Sequence, residues 1–120
     1  MDDFPEQYEL LGFFESEPEF TDNIDEVPFY YNRMTYSTSR GSDAIYCVIE
    51  LASGLLNLVW EKSGILVSSL HLEEITSLIV TSKNGEDKLI AKFGESSGLL
   101  DFELQLKPSV HVKWGNERLM

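Results

Sequence analysis

The chain has 120 residues, enough for one domain with its own core, and its 42% hydrophobic and 12% aromatic content excludes a disordered chain. Its 21 acids against 9 lysines and arginines give a formal net charge of −12, which opposes contact with nucleic acid or anionic lipid and attracts basic partners. The single cysteine, Cys47, allows no intrachain disulfide and fits a reducing compartment, and no apolar run reaches the roughly 18 residues of a membrane span.

The first residues, Met1-Asp2-Asp3-Phe4-Pro5-Glu6, are acidic and lack the basic start and apolar run of a signal peptide, so a cytoplasmic location is expected. Ten of the 21 acids lie within the first 26 residues, and no base precedes Arg33. The rest of the chain is close to neutral, so most of the net charge belongs to residues 1–28. Phe4, Tyr8, Leu11 and Phe14 recur near helical spacing, with Leu10 and Phe13 beside them. Asp3 suits a cap and Pro5 a first turn, which predicts a short amphipathic helix over about 4–14. Pro18 then favours extended or turning backbone, and residues 15–28 read as an ordered acidic loop ending at Pro28.

From residue 29 to 116 the pattern is β. A first strand over 29–39 puts Tyr30, Met34 and Tyr36 on one face. Gly41-Ser42-Asp43, Ser53-Gly54 and Lys62-Ser63-Gly64 are turn signals between further strands bearing Ile45, Cys47, Ile49 and Leu51, then Leu56, Leu58 and Trp60. Residues 65–72 place Leu66, Leu70 and Leu72 on one face and Ile65 and Val67 on the other. Glu73-Glu74 interrupts the pattern before a strand over 75–82. Asn84-Gly85 marks a hairpin into 87–93. In 99–107, Leu100, Phe102, Leu104 and Leu106 alternate with Asp101, Glu103, Gln105 and Lys107. Pro108 breaks that run, and Val110, Val112 and Trp114 resume it. The expectation is a single domain over 1–120 of mainly β (α+β) class. It is an antiparallel meander of seven or eight strands, strongly curled into a half-barrel or open barrel, with one short N-terminal helix.

The common chemistries are poorly represented. His71 and His111 lie in strands without ligands at metal spacing, and Cys47 alternates with Ile45 and Ile49 as a core thiol does. Nucleophile-elbow, phosphate-loop and dinucleotide motifs are missing, and Gly94–Gly98 leads into a strand instead of a helix N-terminus. The carboxylate pairs Glu73/Glu74, Glu86/Asp87 and Asp101/Glu103 are what 21 acids produce by chance adjacency. Asp22-x-x-Asp25-Glu26 lacks the spacing and glycine of a calcium loop. Tyr30, Tyr31 and Tyr36 could stack bases, but the basic groove that single strands require is missing. No catalytic residue, metal site or cofactor is expected, and no direct contact with nucleic acid or membrane.

The remaining constellation is acidic and aromatic. Glu15, Glu17, Glu19, Asp22, Asp25 and Glu26 are interleaved with Phe20, Phe29, Tyr30 and Tyr31. Aromatics set among charges of one sign suit a protein partner of opposite sign. The charges supply encounter and specificity, and the rings supply buried area. The candidate partner-binding residues are therefore Glu15, Glu17, Glu19, Asp22, Asp25, Glu26, Tyr30 and Tyr31.

The stretches Leu10–Phe20 (LLGFFESEPEF), Val27–Tyr36 (VPFYYNRMTY) and Phe102–Glu117 (FELQLKPSVHVKWGNE) give the chain a general resemblance to bacterial immunity proteins of polymorphic or contact-dependent growth inhibition toxin systems. That resemblance implies tight one-to-one binding of a cognate, basic, nuclease-type toxin domain, with carboxylates taking the place of phosphates on its lysines and arginines. Two other readings of the same residues are an acidic adaptor or chaperone-like module for a basic protein, and a small-molecule-binding half-barrel with a pocket lined by Tyr36, Trp60 and Phe102.

Overall fold

The computed structural model describes residues 1–114; positions 115 and 116 of the expected meander lie outside them. One helix, α1 (Gln7–Phe14), is followed by β1 (Glu19–Phe20), β2 (Arg33–Arg40), β3 (Asp43–Glu50), β4 (Leu55–Lys62), β5 (Ile65–Leu72), β6 (Ile75–Lys83), β7 (Glu86–Phe93), β8 (Phe102–Lys107) and β9 (His111–Lys113). Phe29–Tyr31 and Glu95–Ser97 form short 3-10 turns. All strand neighbours are antiparallel, in a five-stranded sheet ordered β1-β2-β3-β4-β5 and a four-stranded sheet ordered β6-β7-β8-β9.

The class is as expected: mainly β, antiparallel, curled and unclosed, with one helix. The curl comes from dividing the meander at Glu73-Glu74, where Glu74 takes a left-handed φ of 60° and turns the chain from one sheet into the other. All eight strands read from the sequence form. The ninth, β1, lies in the predicted acidic loop, where Glu19 and Phe20 pair with Thr35 and Met34. A two-residue strand has no periodicity to read. The expected start of the first strand is instead the turn Phe29–Tyr31, and β2 begins at Arg33.

The helix is shorter than predicted because residues 2 and 3 have another use. The Asp2 N–H donates to Thr76 O (2.8 Å) and the Leu78 N–H donates to Asp3 O (2.9 Å), laying the chain along the edge of β6. Asp3 therefore does not cap α1. The Glu6 N–H instead donates to Glu9 Oε1 (2.9 Å) at the helix start, as in a capping box. The buried face is Leu10, Phe13 and Phe14, while Phe4, Tyr8 and Leu11 stay exposed. Phe14 stacks on Tyr36 with ring centroids 4.4 Å apart, and Phe13 meets Phe14 edge-on at 4.9 Å. Each of these side chains contributes roughly 1.5–3 kcal/mol by leaving water. The helix touches β2, β6 and β7, so it joins the two sheets over a single core.

Cys47 is fully buried, and burial pushes its thiol well above the usual range, so it is an inert core residue. In β8, Phe102, Leu104 and Leu106 are buried as the alternation requires. Gln105, predicted to face out, is buried instead. Its amide donates to Ser109 O (3.2 Å) across the turn into β9. Leu66, expected on the face of Leu70 and Leu72, is exposed. The pairing of β4 with β5 slips between Trp60 and Glu61 and leaves Val67 unmatched, and such a bulge breaks the alternation.

Candidate partner-binding surface

Residues 15–27 are held against the five-stranded sheet. Beyond β1, the Thr21 N–H donates to Arg33 O (3.0 Å). The N–H groups of Glu26 and Val27 both donate to Asn23 O (2.9 and 2.8 Å), and the Asp25 N–H donates to Asn23 Oδ1 (2.9 Å), which closes a compact turn.

The residue that fixes this turn to the domain is Asn32, which sequence reasoning missed. It is fully buried. Its Oδ1 accepts from the Asp22 N–H (3.2 Å), and its Nδ2 donates to Asp22 O (2.8 Å) and Val27 O (2.9 Å). One amide thus satisfies backbone groups at both ends of the acidic turn. The only hint in the sequence is an Asn just before a strand, too common to single out. Replacing it as Asn32→Ala orphans these groups and is expected to lower unfolding stability by about 2 kcal/mol. Hydrogen exchange at 22–27 should speed up well beyond that of β3. Unchanged exchange there would show that the turn does not need the clamp.

With this anchoring, Glu17, Glu19, Asp22, Asp25 and Glu26 all remain exposed. Glu15 is also exposed but engaged: it ends α1 in a left-handed conformation (φ 55°), pairs with Lys107, and lies 3.8 Å from Arg40. The hydrogen bond from Lys107, and then its charge, hold the Glu15 carboxyl below the usual carboxylate value. A depressed carboxyl keeps its contribution at neutral pH and loses it only as pH falls through the lowered value. Glu15 therefore ties the helix end to β8 and β2.

The aromatics divide differently from expectation. Phe20, Phe29 and Tyr30 are half-buried and pack against the core. Tyr30 stacks obliquely on Phe4 (4.6 Å), and its hydroxyl accepts from the Met1 ammonium (2.8 Å). Tyr31 stands edge-on to Tyr30 (5.1 Å) and is 69% exposed. Two of the apolar residues that recur at helical spacing are on the surface. Tyr8, 72% exposed, and Leu11 line a shallow groove with Glu6, Gln7, Glu17 and Pro18. Of the apolar residues at helical spacing, Phe14 is buried together with Leu10 and Phe13.

The interior pocket proposed from Tyr36, Trp60 and Phe102 is corrected. Tyr36 and Phe102 are fully buried core residues, with Tyr36 stacked on Phe14, and Trp60 packs at the core margin and donates from Nε1 to Asp43 Oδ1 (2.9 Å). His71 bonds to Asn57 and Glu73, and His111 to Ser109. Among the described residues, Asp22, Asp25 and Glu26 are not gathered into a group able to hold a metal ion, and no helix is long and apolar enough to cross a membrane.

No protein-family model and no curated protein matches the sequence. A solved structure does match in fold: a chain of a contact-dependent growth inhibition toxin–immunity protein complex from Klebsiella pneumoniae 342, at 18% identity and a TM-score of 0.77, covering 95% of this chain and 96% of that one. Over nearly its whole length, this chain therefore shares the fold of a component of a toxin–immunity pair.

Proposed function

We propose that this chain is an immunity protein that binds and neutralises a cognate basic toxin domain of the nuclease type in the bacterial cytoplasm, without catalysis. The observation that carries this reading is the ordered acidic segment. Its carboxylates are exposed, Glu17 shares a groove with the exposed Tyr8 and Leu11, and Tyr31 is exposed as well, in a fold shared with a member of a toxin–immunity complex. Of the two roles in such a pair, the immunity role suits a chain of net charge −12, because that charge opposes the nucleic acid contacts a nuclease must make.

The mechanism follows from the geometry. Glu17, Glu19, Asp22, Asp25 and Glu26 offer carboxylates to toxin lysines and arginines that otherwise engage phosphates. The groove at Tyr8 and Leu11 and the ring of Tyr31 supply apolar area. Because Asn32 and β1 hold the segment in place before binding, little conformational entropy is lost on association. Glu15 and Tyr30 keep the surface in shape.

The test is to mix the purified chain with the toxin domain encoded beside its gene. A stable one-to-one complex with affinity on the order of nanomolar is expected, with an association rate that falls at least about tenfold as salt rises. The toxin's activity should be lost in the complex. If the chain alone arrests growth when expressed, or leaves the toxin unbound and active, the assignment fails.

A further inference from the structure

Tyr8 stands between two grooves on the solvent side of α1. One is the groove of Tyr8 and Leu11, beside Glu17. The other separates α1 from the hairpin of β6 and β7. Tyr8, Glu9 and Gly12 line it from the helix, and Ser82 and Asp87 line it from the hairpin. Phe13 and Val80, both packed on the core, supply its apolar base. Each wall offers a carboxylate that is already held in place. Glu9 Oε1 accepts from the Glu6 N–H (2.9 Å), and Asp87 Oδ1 accepts from the Ser82 hydroxyl (2.6 Å). Both acids are half-buried, so their charges are screened less than those at the tips of the acidic segment. Among the described residues no ion pair engages Glu9, and Lys107, 3.9 Å from Asp87 Oδ2, is engaged by Glu15.

Gly12 is the second observation. It lies inside α1 without a left-handed φ, while the left-handed position that ends the helix is taken by Glu15. A β-carbon added at Gly12 would meet nothing within 4 Å. Glycine in a helix interior weakens the helix relative to alanine. Neither the backbone angle nor the packing within the chain asks for it here. The open space above it belongs to the groove, one helical turn from the exposed ring of Tyr8. An approaching side chain can lie against the helix backbone at this point and nowhere else on the same face.

We propose that this groove is a slot for an arginine side chain of the partner toxin. The aliphatic stem lies over Gly12 and Val80, and the guanidinium rests on the Tyr8 ring with Glu9 on one side and Asp87 on the other. The chemistry selects arginine. Its flat head carries donors on more than one edge, so it can serve both walls while stacking on a ring, which the compact ammonium of lysine does not do. The surface is continuous with the groove of Tyr8 and Leu11, because Tyr8 belongs to both, so one partner face crossing that ridge reaches the slot. That the arginine comes from a toxin domain rests on the function proposed above; the chemistry of the slot does not.

The test has two arms. In the first, Nα-acetyl-arginine amide is titrated into the isotope-labelled chain and followed by NMR, beside the neutral isostere Nα-acetyl-citrulline amide. The arginine probe is expected to shift the amides of Glu9, Gly12 and Ser82 saturably, with a dissociation constant on the order of 10 mM, and the citrulline probe to leave them in place. Glu9→Gln should weaken the arginine effect at least about threefold. That variant keeps the helix start, because glutamine serves a capping box as glutamate does. In the second arm, the affinity for the toxin domain encoded beside the gene is measured for the parent, Glu9→Gln and Gly12→Gln. Glu9→Gln should weaken binding about tenfold. Gly12→Gln fills the slot and should weaken binding at least about tenfold, while the melting temperature rises by a few degrees. Binding lost from a stabilised protein is not a folding defect. An arginine probe that shifts these amides no more than citrulline, or that shifts the whole acidic surface alike, overturns the slot, and so do folded variants that bind the toxin as tightly as the parent. A parent that saturates with the arginine probe but leaves the toxin unbound keeps the slot and overturns the toxin as the source of the arginine.

Discussion

Reversing Glu17, Glu19 and Asp22 together to lysine is expected to weaken toxin binding by about two orders of magnitude, or roughly 3 kcal/mol at about 1 kcal/mol per reversed contact. All three are exposed, and among the described residues no side-chain ion pair engages them. Their loss therefore leaves no buried charge unpartnered, and the melting temperature should stay within a few degrees of the parent. It should even rise slightly, because the change relieves repulsion within a segment that has no base. The loss should fall mainly on the association rate and shrink as salt rises. Glu15 is left out of the variant on purpose. A lysine there would lie among Lys107 and Arg40, so a loss of function could come from an unsettled helix end. Full protection of cells by a folded triple variant would place the interface elsewhere.

The legible parts of this molecule were those written as repeating patterns. Most of the longer strands are alternations bounded by turn residues, and Ile45, Cys47 and Ile49 or Phe102, Leu104 and Leu106 are assigned to the core on period alone. The segregation of acid was equally plain, since it is a count along the chain. What could not be read depended on contacts between distant residues. Asp3 is not the helix cap because residues 2 and 3 pair with β6, more than seventy positions away. Asn32 acquires its importance only when residues 22 and 27 fold back to it. The exposure of Leu66 follows from one unmatched residue in β5, which shifts neighbours that periodicity had placed correctly up to that point. The division into two sheets was visible only as the interruption at Glu73-Glu74. The candidate surface is thus legible through charge, while the exposure of Tyr8 and Leu11 beside it is not.

The joint between the two sheets makes the second large prediction. Gly54, in the turn from β3 to β4, is buried with φ at +65°. Its N–H donates to Leu51 O (3.1 Å), and its carbonyl accepts from the N–H of Ile75 (3.0 Å), the first residue of β6. A β-carbon added at Gly54 would lie 2.6 Å from Ile75 O and 3.0 Å from Ile75 N. Those neighbours are backbone, so the only relief is to move one sheet away from the other and lengthen the hydrogen bond between them. The Gly54→Ala variant is expected to lose about 3–4 kcal/mol: roughly 1–2 for the left-handed backbone and the remainder for the displaced joint. For a domain of this size that corresponds to a fall in melting temperature of about 10–20 °C. Gly41 is the internal control. It has a similar φ of +61°, but an added β-carbon there meets nothing within 4 Å. Gly41→Ala should therefore cost only about 1 kcal/mol, the backbone strain less the entropy taken from the unfolded chain. The difference between the two variants measures the contact that holds the sheets together. If thermal melts put both alanines at the same stability, the Gly54–Ile75 joint is not what sets the angle of the fold. Because the acidic segment is mounted on the β2 edge and the helix spans both sheets, a loosened joint should also weaken toxin binding in the Gly54 variant and not in the Gly41 variant.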